Sequence, residues 1–238
     1  MPDARVPARA GRALPISAVL FDLDGTLADT APDLAAALNR VRVARGLDPV
    51  PASRLRSSSS HGARGLIGTG MGIVPDHPDY AALRTAFLAQ YELGLCVDSA
   101  LFADVPALLD AIETRSLKWG IVTNKASRYT TPLLEWLGLG ARAGAVVCGD
   151  TTPYTKPHPA PLLAAAERLG VSAARCVYVG DAERDVAAGV AAGMHTIIAR
   201  YGYIDNEEIP ESWPADGLIN SPSALLAWLP DARTAVSR

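Results

Sequence analysis

Two carboxylates two positions apart, Asp22 and Asp24, close the apolar run 18–21 and are followed at once by Gly25 and Thr26. That arrangement suits a reactive aspartate. The apolar residues read as a strand buried on both faces, and Gly25 lets the chain turn sharply where a side chain would obstruct a ligand. Asp22 and Asp24 then stand at the carboxyl end of the strand, the edge at which open α/β sheets bind ligands. A second acidic group lies far along the chain, where Gly180-Asp181-Ala182-Glu183-Arg184-Asp185 puts two carboxylates four apart as a strand gives way to a helix. Asp22, Asp24 and Asp181, with Asp185 as a further member, would repel one another unless a cation joined them. All-oxygen ligands and high negative charge favour Mg2+ over zinc.

Hydroxyl and positive groups accompany the carboxylates. Thr123-Asn124-Lys125 follows another apolar run and can offer a hydroxyl and backbone N–H groups to an anion at the start of the next helix. Lys156 sits on a loop stiffened by Pro157 and Pro159, where an ammonium group could neutralise a carboxylate nucleophile and a phosphate together. Taken singly, each has a plainer reading. Thr123 is then an ordinary strand end, Lys156 a surface lysine, and Asp185 a charge that favours the first turn of a helix.

The elements that must position these groups alternate in type from residue 104 onward. The pattern predicts helices over 105–115, 127–137, 159–169 and 183–192, with Gly170 and Gly193 closing the last two, and strands over 118–123, 145–148, 176–179 and 195–199. Such alternation implies a parallel sheet with helices on both faces. It also brings Asp22, Thr123-Asn124, Asp150 and Asp181 to one edge. Beyond residue 201 the pattern weakens, with a last short helix over 223–229.

Residues 30–100 show no evident strand. Thr30 can cap a helix with Pro32 in its first turn and Asp33 in the capping-box position, and Leu34, Leu38, Val41 and Arg45 continue the helical spacing to Gly46. Segment 57–72 is rich in Ser and Gly, and 79–95 is again helical, with Leu83, Phe87 and Tyr91 on one side. This stretch reads as a helical insert.

The 238-residue chain can bury a real core, and 49% hydrophobic against 20% charged residues argues against disorder. A net charge of −3 gives no pull toward nucleic acid or an anionic membrane, so the expected partner is a small molecule. Cys96, Cys148 and Cys176 have neither a paired nor a metal-ligand spacing, which fits a reducing cytoplasm. Residues 1–16 read as a flexible tail. They carry Arg5, Arg9 and Arg12 but no apolar core long enough for a signal peptide, and no later segment could span a bilayer.

Taken in order, these motifs resemble the haloacid dehalogenase superfamily in its phosphatase branch. Asp22-Leu23-Asp24-Gly25-Thr26 is similar to its first motif, Thr123 to its second, Lys156 to its third, and Gly180-Asp181 with Asp185 to its fourth. The resemblance implies an α/β fold, a Rossmann-like doubly wound parallel sheet formed by 17–29 and 101–238, with 30–100 inserted as a small α-helical cap domain. It implies that Asp22 attacks phosphorus to give an aspartyl phosphate, and that Asp24 serves as acid and then base. Mg2+ would be held by Asp22, the backbone carbonyl of Asp24 and Asp181. Thr123, Asn124 and Lys156 would grip the phosphoryl oxygens, and Asp185 would orient Lys156 or the metal's water shell.

Within the superfamily, Asp29-Thr30-Ala31-Pro32-Asp33 and Val122-Thr123-Asn124-Lys125 look like the phosphoglycolate phosphatase group, which makes 2-phosphoglycolate the expected substrate. Ser60-His61-Gly62-Ala63-Arg64, the run 178–185 and Tyr201-Gly202-Tyr203-Ile204 resemble instead N-acetylmuramic acid 6-phosphate phosphatases of cell-wall recycling. A cap Arg64 or His61 that closes over the site could read a substrate carboxylate, against the plainer reading of 57–64 as a mobile surface loop. His158 and His195 are read as structural. Asp24 argues against a dehalogenase, which needs no carboxylate there. A sugar-phosphate mutase of the same fold stays open. A regulatory module phosphorylated on aspartate is shorter and lacks a helical segment after its first strand.

Overall fold

The computed structural model describes residues 16–231. In chain order its elements are β1 (Ala18–Phe21), β2 (Ala28–Asp29), α1 (Ala31–Val43), α2 (Ala52–Leu55), a 3-10 turn (Ser57–His61), α3 (Gly62–Met71), α4 (Tyr80–Leu93), β3 (Ala100–Leu101), α5 (Val105–Thr114), β4 (Lys118–Val122), α6 (Ser127–Trp136), β5 (Ala145–Val147), α7 (Ala160–Leu169), β6 (Cys176–Gly180), α8 (Glu183–Ala191), β7 (His195–Ala199) and β8 (Gly217–Ile219). Six strands form one parallel sheet in the order β5-β4-β1-β6-β7-β8. The chain starts in the middle at β1, winds outward through β4 and β5, then crosses back to β6. The order therefore reverses beside β1, and a crevice at the carboxyl ends of the strands opens at such a reversal.

Period-two alternation explains why the sheet is covered twice. Val19 and Phe21 face one apolar cluster with Leu108, Leu109 and Ile112 of α5 and Leu133 and Leu134 of α6. Ala18 and Leu20 face the other, with Leu162, Ala165 and Leu169 of α7 and Ala188 of α8. All four residues of β1 are buried, as expected of a central parallel strand.

Residues between β2 and β3 leave the sheet and return through a two-stranded antiparallel ribbon, Ala28 opposite Leu101 and Asp29 opposite Ala100. The intervening helices share a separate apolar cluster built from Leu34, Leu38, Leu55, Leu66, Leu83, Phe87 and Tyr91, which Tyr129 of α6 joins. The expected capping box at α1 is not what forms. Thr30 makes no side-chain cap and donates instead to Asp24, while Asp33 accepts the backbone N–H groups of Val97, Asp98 and Ser99 and the Ser99 hydroxyl. Asp33 thus ties the start of the insert to its end.

Three further elements differ from the sequence reading. Segment 62–71, part of the Ser- and Gly-rich run 57–72 to which the sequence assigns no element, is a helix whose glycines mark close contacts: a Cβ at Gly65 would strike the Ser58 carbonyl, and one at Gly70 would strike Leu38 of α1. Strand β8 is three residues long and lies on the sheet edge, too short to show a period. The last helix is a 3-10 segment, Pro222–Trp228. Of the expected tail 1–16, only Ile16 lies within the described residues, and it is buried in the core. No helix among the described residues is long and apolar enough to cross a membrane.

Candidate active site

Four strand ends deliver the candidate groups to one edge. Asp22 follows β1, Thr123, Asn124 and Lys125 follow β4, Lys156 lies on the loop after β5, and Asp181 follows β6. Asp185 joins from the first turn of α8. Asp150, also at a strand end, stays outside the cluster and accepts hydrogen bonds from the Ser127 N–H and hydroxyl at the start of α6.

Lys156 is the electrostatic centre of this edge. Its side chain is wholly buried, and its Nζ lies 2.8 Å from Asp22 Oδ1 and 2.8 Å from Asp185 Oδ1. It also donates to the Val122 carbonyl at 2.9 Å and to the Tyr178 hydroxyl at 2.7 Å. A surface lysine is thereby excluded. The loop that carries it is clamped by Asn124, whose side-chain amide donates to the Lys156 carbonyl and accepts the Lys156 N–H, both at 2.9 Å. The Asn124 side chain is therefore engaged with this loop, although the residue lines the cavity described below.

Asp22, Asp181 and Asp185 bring one carboxylate oxygen each to within 4.8 Å of one another, all buried. Their surroundings separate them. Burial raises the Asp185 carboxyl, but the charges of Lys156 and Arg184 and hydrogen bonds from Lys156 and the Ala182 N–H more than offset it and leave it below the ordinary value. Burial raises Asp22 to about 6, held back by Lys156. Asp181 has no ion pair among the described residues and receives only the Tyr203 N–H at 2.9 Å and the Thr26 hydroxyl at 3.2 Å. Burial, with Asp22 and Asp185 beside it, pushes it up to about 8. A buried carboxylate without a cation is costly, so this trio fits a metal ion, and a donor set of carboxylate oxygens alone fits a hard divalent one.

The approach around Asp181 is possible only with glycine. Gly25 has φ +85°, and a Cβ there would collide with Asp181 Oδ2; a Cβ at Gly202 would meet the Asp181 side chain and the Gly25 carbonyl. Tyr203, beyond Gly202, then reaches the insert junction, where its hydroxyl accepts the Thr30 and Ala31 N–H groups and donates to Asp29.

Asp24 has partners separate from this trio. Its Oδ1 accepts from Lys125 Nζ at 2.7 Å and from the Thr30 hydroxyl at 2.5 Å. Burial raises its carboxyl, but Lys125 and Thr30 outweigh that and hold it below the ordinary value. A cavity of about 440 Å³ opens above Asp22 and Asp24 and is also lined by Thr123, Lys125 and Arg184 from the sheet edge. His61 and Arg64 line its insert side, together with Arg84 and the aromatic residues Tyr80, Phe87 and Tyr91. Arg184 bridges the two walls, donating to the Ser60 carbonyl at 2.7 Å and the Ser60 hydroxyl at 3.1 Å.

Residues 19–199 match the family described as haloacid dehalogenase-like hydrolase. The chain belongs to that family. Among haloacid dehalogenase-like hydrolases, it is 42% identical over 89% of its length and 93% of the relative to an N-acetylmuramic acid 6-phosphate phosphatase of Pseudomonas aeruginosa. It is 43% identical over 90% of its length and 96% of the relative to a phosphoglycolate phosphatase of Xanthomonas campestris. A solved structure, a predicted phosphoglycolate phosphatase of Haemophilus somnus, superposes with a TM-score of 0.76 at 25% identity, covering 90% of this chain and 97% of that one. CbbY of Rhodobacter sphaeroides, solved with phosphate, shares the fold at a TM-score of 0.70 and 24% identity, covering 90% of this chain and 99% of that one. The chain is thus an enzyme of the phosphatase branch, and phosphatases of this family generally use Mg2+.

Sequence reasoning passed over several groups at this site. The Lys125 ammonium counted only as part of a backbone anion site, and Arg184 was quoted inside an acidic motif without a role. A cation at the start of a helix among three acids was the available signal for Arg184. Thr26 and Tyr203 stand inside motifs that give them no role of their own, and Arg84 has no signal at all, because their contacts at the site exist only once the chain has folded.

Proposed function

We propose that the protein hydrolyses phosphate monoesters of small anionic metabolites, with Asp22 as nucleophile and Asp24 as acid and base. The observation that carries this reading is the Asp22 carboxylate held against Lys156 beside a cavity, with Asp24 lining the same cavity and its carboxylate bonded to Lys125 and Thr30. An Asp22 oxygen bonds to phosphorus as the ester P–O bond breaks, and the departing alcohol takes a proton from Asp24. Water then attacks the aspartyl phosphate, gives a proton to Asp24, and inorganic phosphate leaves. Without substrate Asp24 is an anion; a phosphate entering beside it raises its proton affinity by like-charge repulsion.

Asp22, Asp181 and the main-chain carbonyl of Asp24 would hold Mg2+, which supplies charge shielding between nucleophile and phosphate. Lys156 neutralises Asp22 so that an anionic ester can approach, and Thr123 offers its hydroxyl to a phosphoryl oxygen. Asn124 serves this grip through its hold on the Lys156 loop. Residues 30–100 act as a cap over the site, and the free thiols of Cys96, Cys148 and Cys176 accord with a cytoplasmic setting.

For the substrate, 2-phosphoglycolate fits the cationic insert side, where Arg64 and His61 would meet its carboxylate. A second reading, N-acetylmuramic acid 6-phosphate, is favoured by the size of the cavity and by its aromatic wall of Tyr80, Phe87 and Tyr91. Phosphate release from a panel containing both esters, in the presence of Mg2+, distinguishes them. Turnover of one at least tenfold above the other assigns the substrate, and failure to release phosphate from any ester, a generic aryl phosphate included, overturns the proposal.

A further inference from the structure

Lys125 is anchored at one end and engaged at the other. Its N–H donates to Thr123 Oγ1 at 3.1 Å, and its carbonyl accepts the Gly149 N–H at 2.9 Å, which fixes its main chain to the sheet edge. Its side chain crosses to the insert, where the ammonium group lies 4.9 Å from the centre of the Tyr91 ring, within cation–π range. Tyr91 is itself held by Phe87, stacked at 6.4 Å, and Tyr129, tilted at 5.5 Å.

The bonds to Asp24 are lopsided. Lys125 and Thr30 both donate to Oδ1, and no described residue donates to Oδ2. The Asp24 side chain is 15% exposed against 4% for Asp22, and it borders the cavity. One oxygen is thus pinned by two donors while the other is left for a ligand. A carboxylate that must hand over and later accept a proton needs this restriction, because a small displacement of a proton donor costs rate steeply.

We propose that Lys125, backed by the Tyr91 ring, is a positioning residue for Asp24, pinning Oδ1 so that Oδ2 faces the leaving-group oxygen. This rests on the reading of Asp24 as acid and base. Lys125 touches neither phosphorus nor the leaving group in this role. Its contribution therefore scales with how much the departing oxygen needs a proton. An ion pair that merely held two loops together would affect every ester alike.

The test compares two esters in wild type, Lys125→Met and Lys125→Arg: 4-nitrophenyl phosphate, whose leaving group departs without a proton, and whichever alkyl phosphate of the panel the wild type turns over faster. In Lys125→Met, kcat for the alkyl ester is expected to fall about a hundredfold while that for the aryl ester changes far less; Lys125→Arg, which keeps the charge, restores part of the alkyl rate. Equal loss on both esters, or no loss on either, overturns the inference. Wild-type hydrolysis of the aryl ester reports separately on the phosphatase reading. Should Lys125→Met fail to fold, Thr30→Val removes the other donor to Oδ1 and carries the same comparison: selective loss on the alkyl ester supports the inference, and equal loss overturns it.

Discussion

At the scale of single residues the site is a set of carboxylates kept in different states by their neighbours. Asp185 has Lys156 and Arg184, Asp24 has Lys125 and Thr30, and Asp181 has no ion pair among the described residues. Without metal, burial lifts Asp181 from 3.8 to about 8 and Asp22 from 3.8 to about 6. A carboxyl raised on folding stabilises the fold fully below its unfolded pKa, and that contribution is lost as pH rises through the folded value. The metal-free protein is therefore expected to lose thermal stability as pH rises from about 4 to about 8, and the rise in Tm on adding Mg2+ should grow over the upper part of that range as protons cease to compete for the carboxylates. Melting curves with chelator and with Mg2+ check this; a metal-induced shift that stays flat from pH 6 to 9 contradicts it. The acids themselves were legible from their spacing. Their separation into states was not, because it depends on which of them Lys125 and Lys156, carried by distant segments, come to pair with.

At the scale of elements, local pattern was a good guide wherever an element carried a full period. Strands β1 and β4 to β7 and helices α5 to α8 fall within a residue or so of the sequence reading, since buried apolar runs and helix-closing Gly170 mark them directly. It failed where tertiary contacts decide. The glycines of α3 hide its period in a Ser- and Gly-rich run, yet Gly65 and Gly70 are packing surfaces and Leu66 and Ile67 bury the helix. Asp33 looked like a capping residue but gathers four donors from 97–99, fixing both ends of the insert to each other. Hydrogen bonds to a buried charge contribute about 1.5–3 kcal/mol each when lost singly. Asp33→Ala is expected to destabilise the fold by several times ~1 kcal/mol and to expose 94–99 to proteolysis well before the sheet. Limited proteolysis and denaturant titration measure both, and unchanged protection of that segment would count against the role assigned to Asp33.

At the scale of the whole molecule, the sheet order places β1 between β4 and β6, so three successive strand ends converge where the winding reverses. That convergence makes the site: Asp22 from the first strand, the Thr123 hydroxyl from its neighbour on one side, Asp181 from its neighbour on the other and Asp185 from the helix that follows. The alternation of helices and strands foretold a parallel sheet, but not which strands would be neighbours. Nor could it show that Arg184 would join α8 to the Ser60 turn across the cavity. Phosphatase activity at this site requires Asp22 to be the group that takes the phosphoryl moiety. Phosphate release by wild type and by Asp22→Asn, each with Mg2+ and with chelator, tests it most directly. Turnover is expected only in wild type with Mg2+, with Asp22→Asn folded and lower by at least about 10⁴-fold. Turnover by Asp22→Asn at the wild-type rate would contradict it.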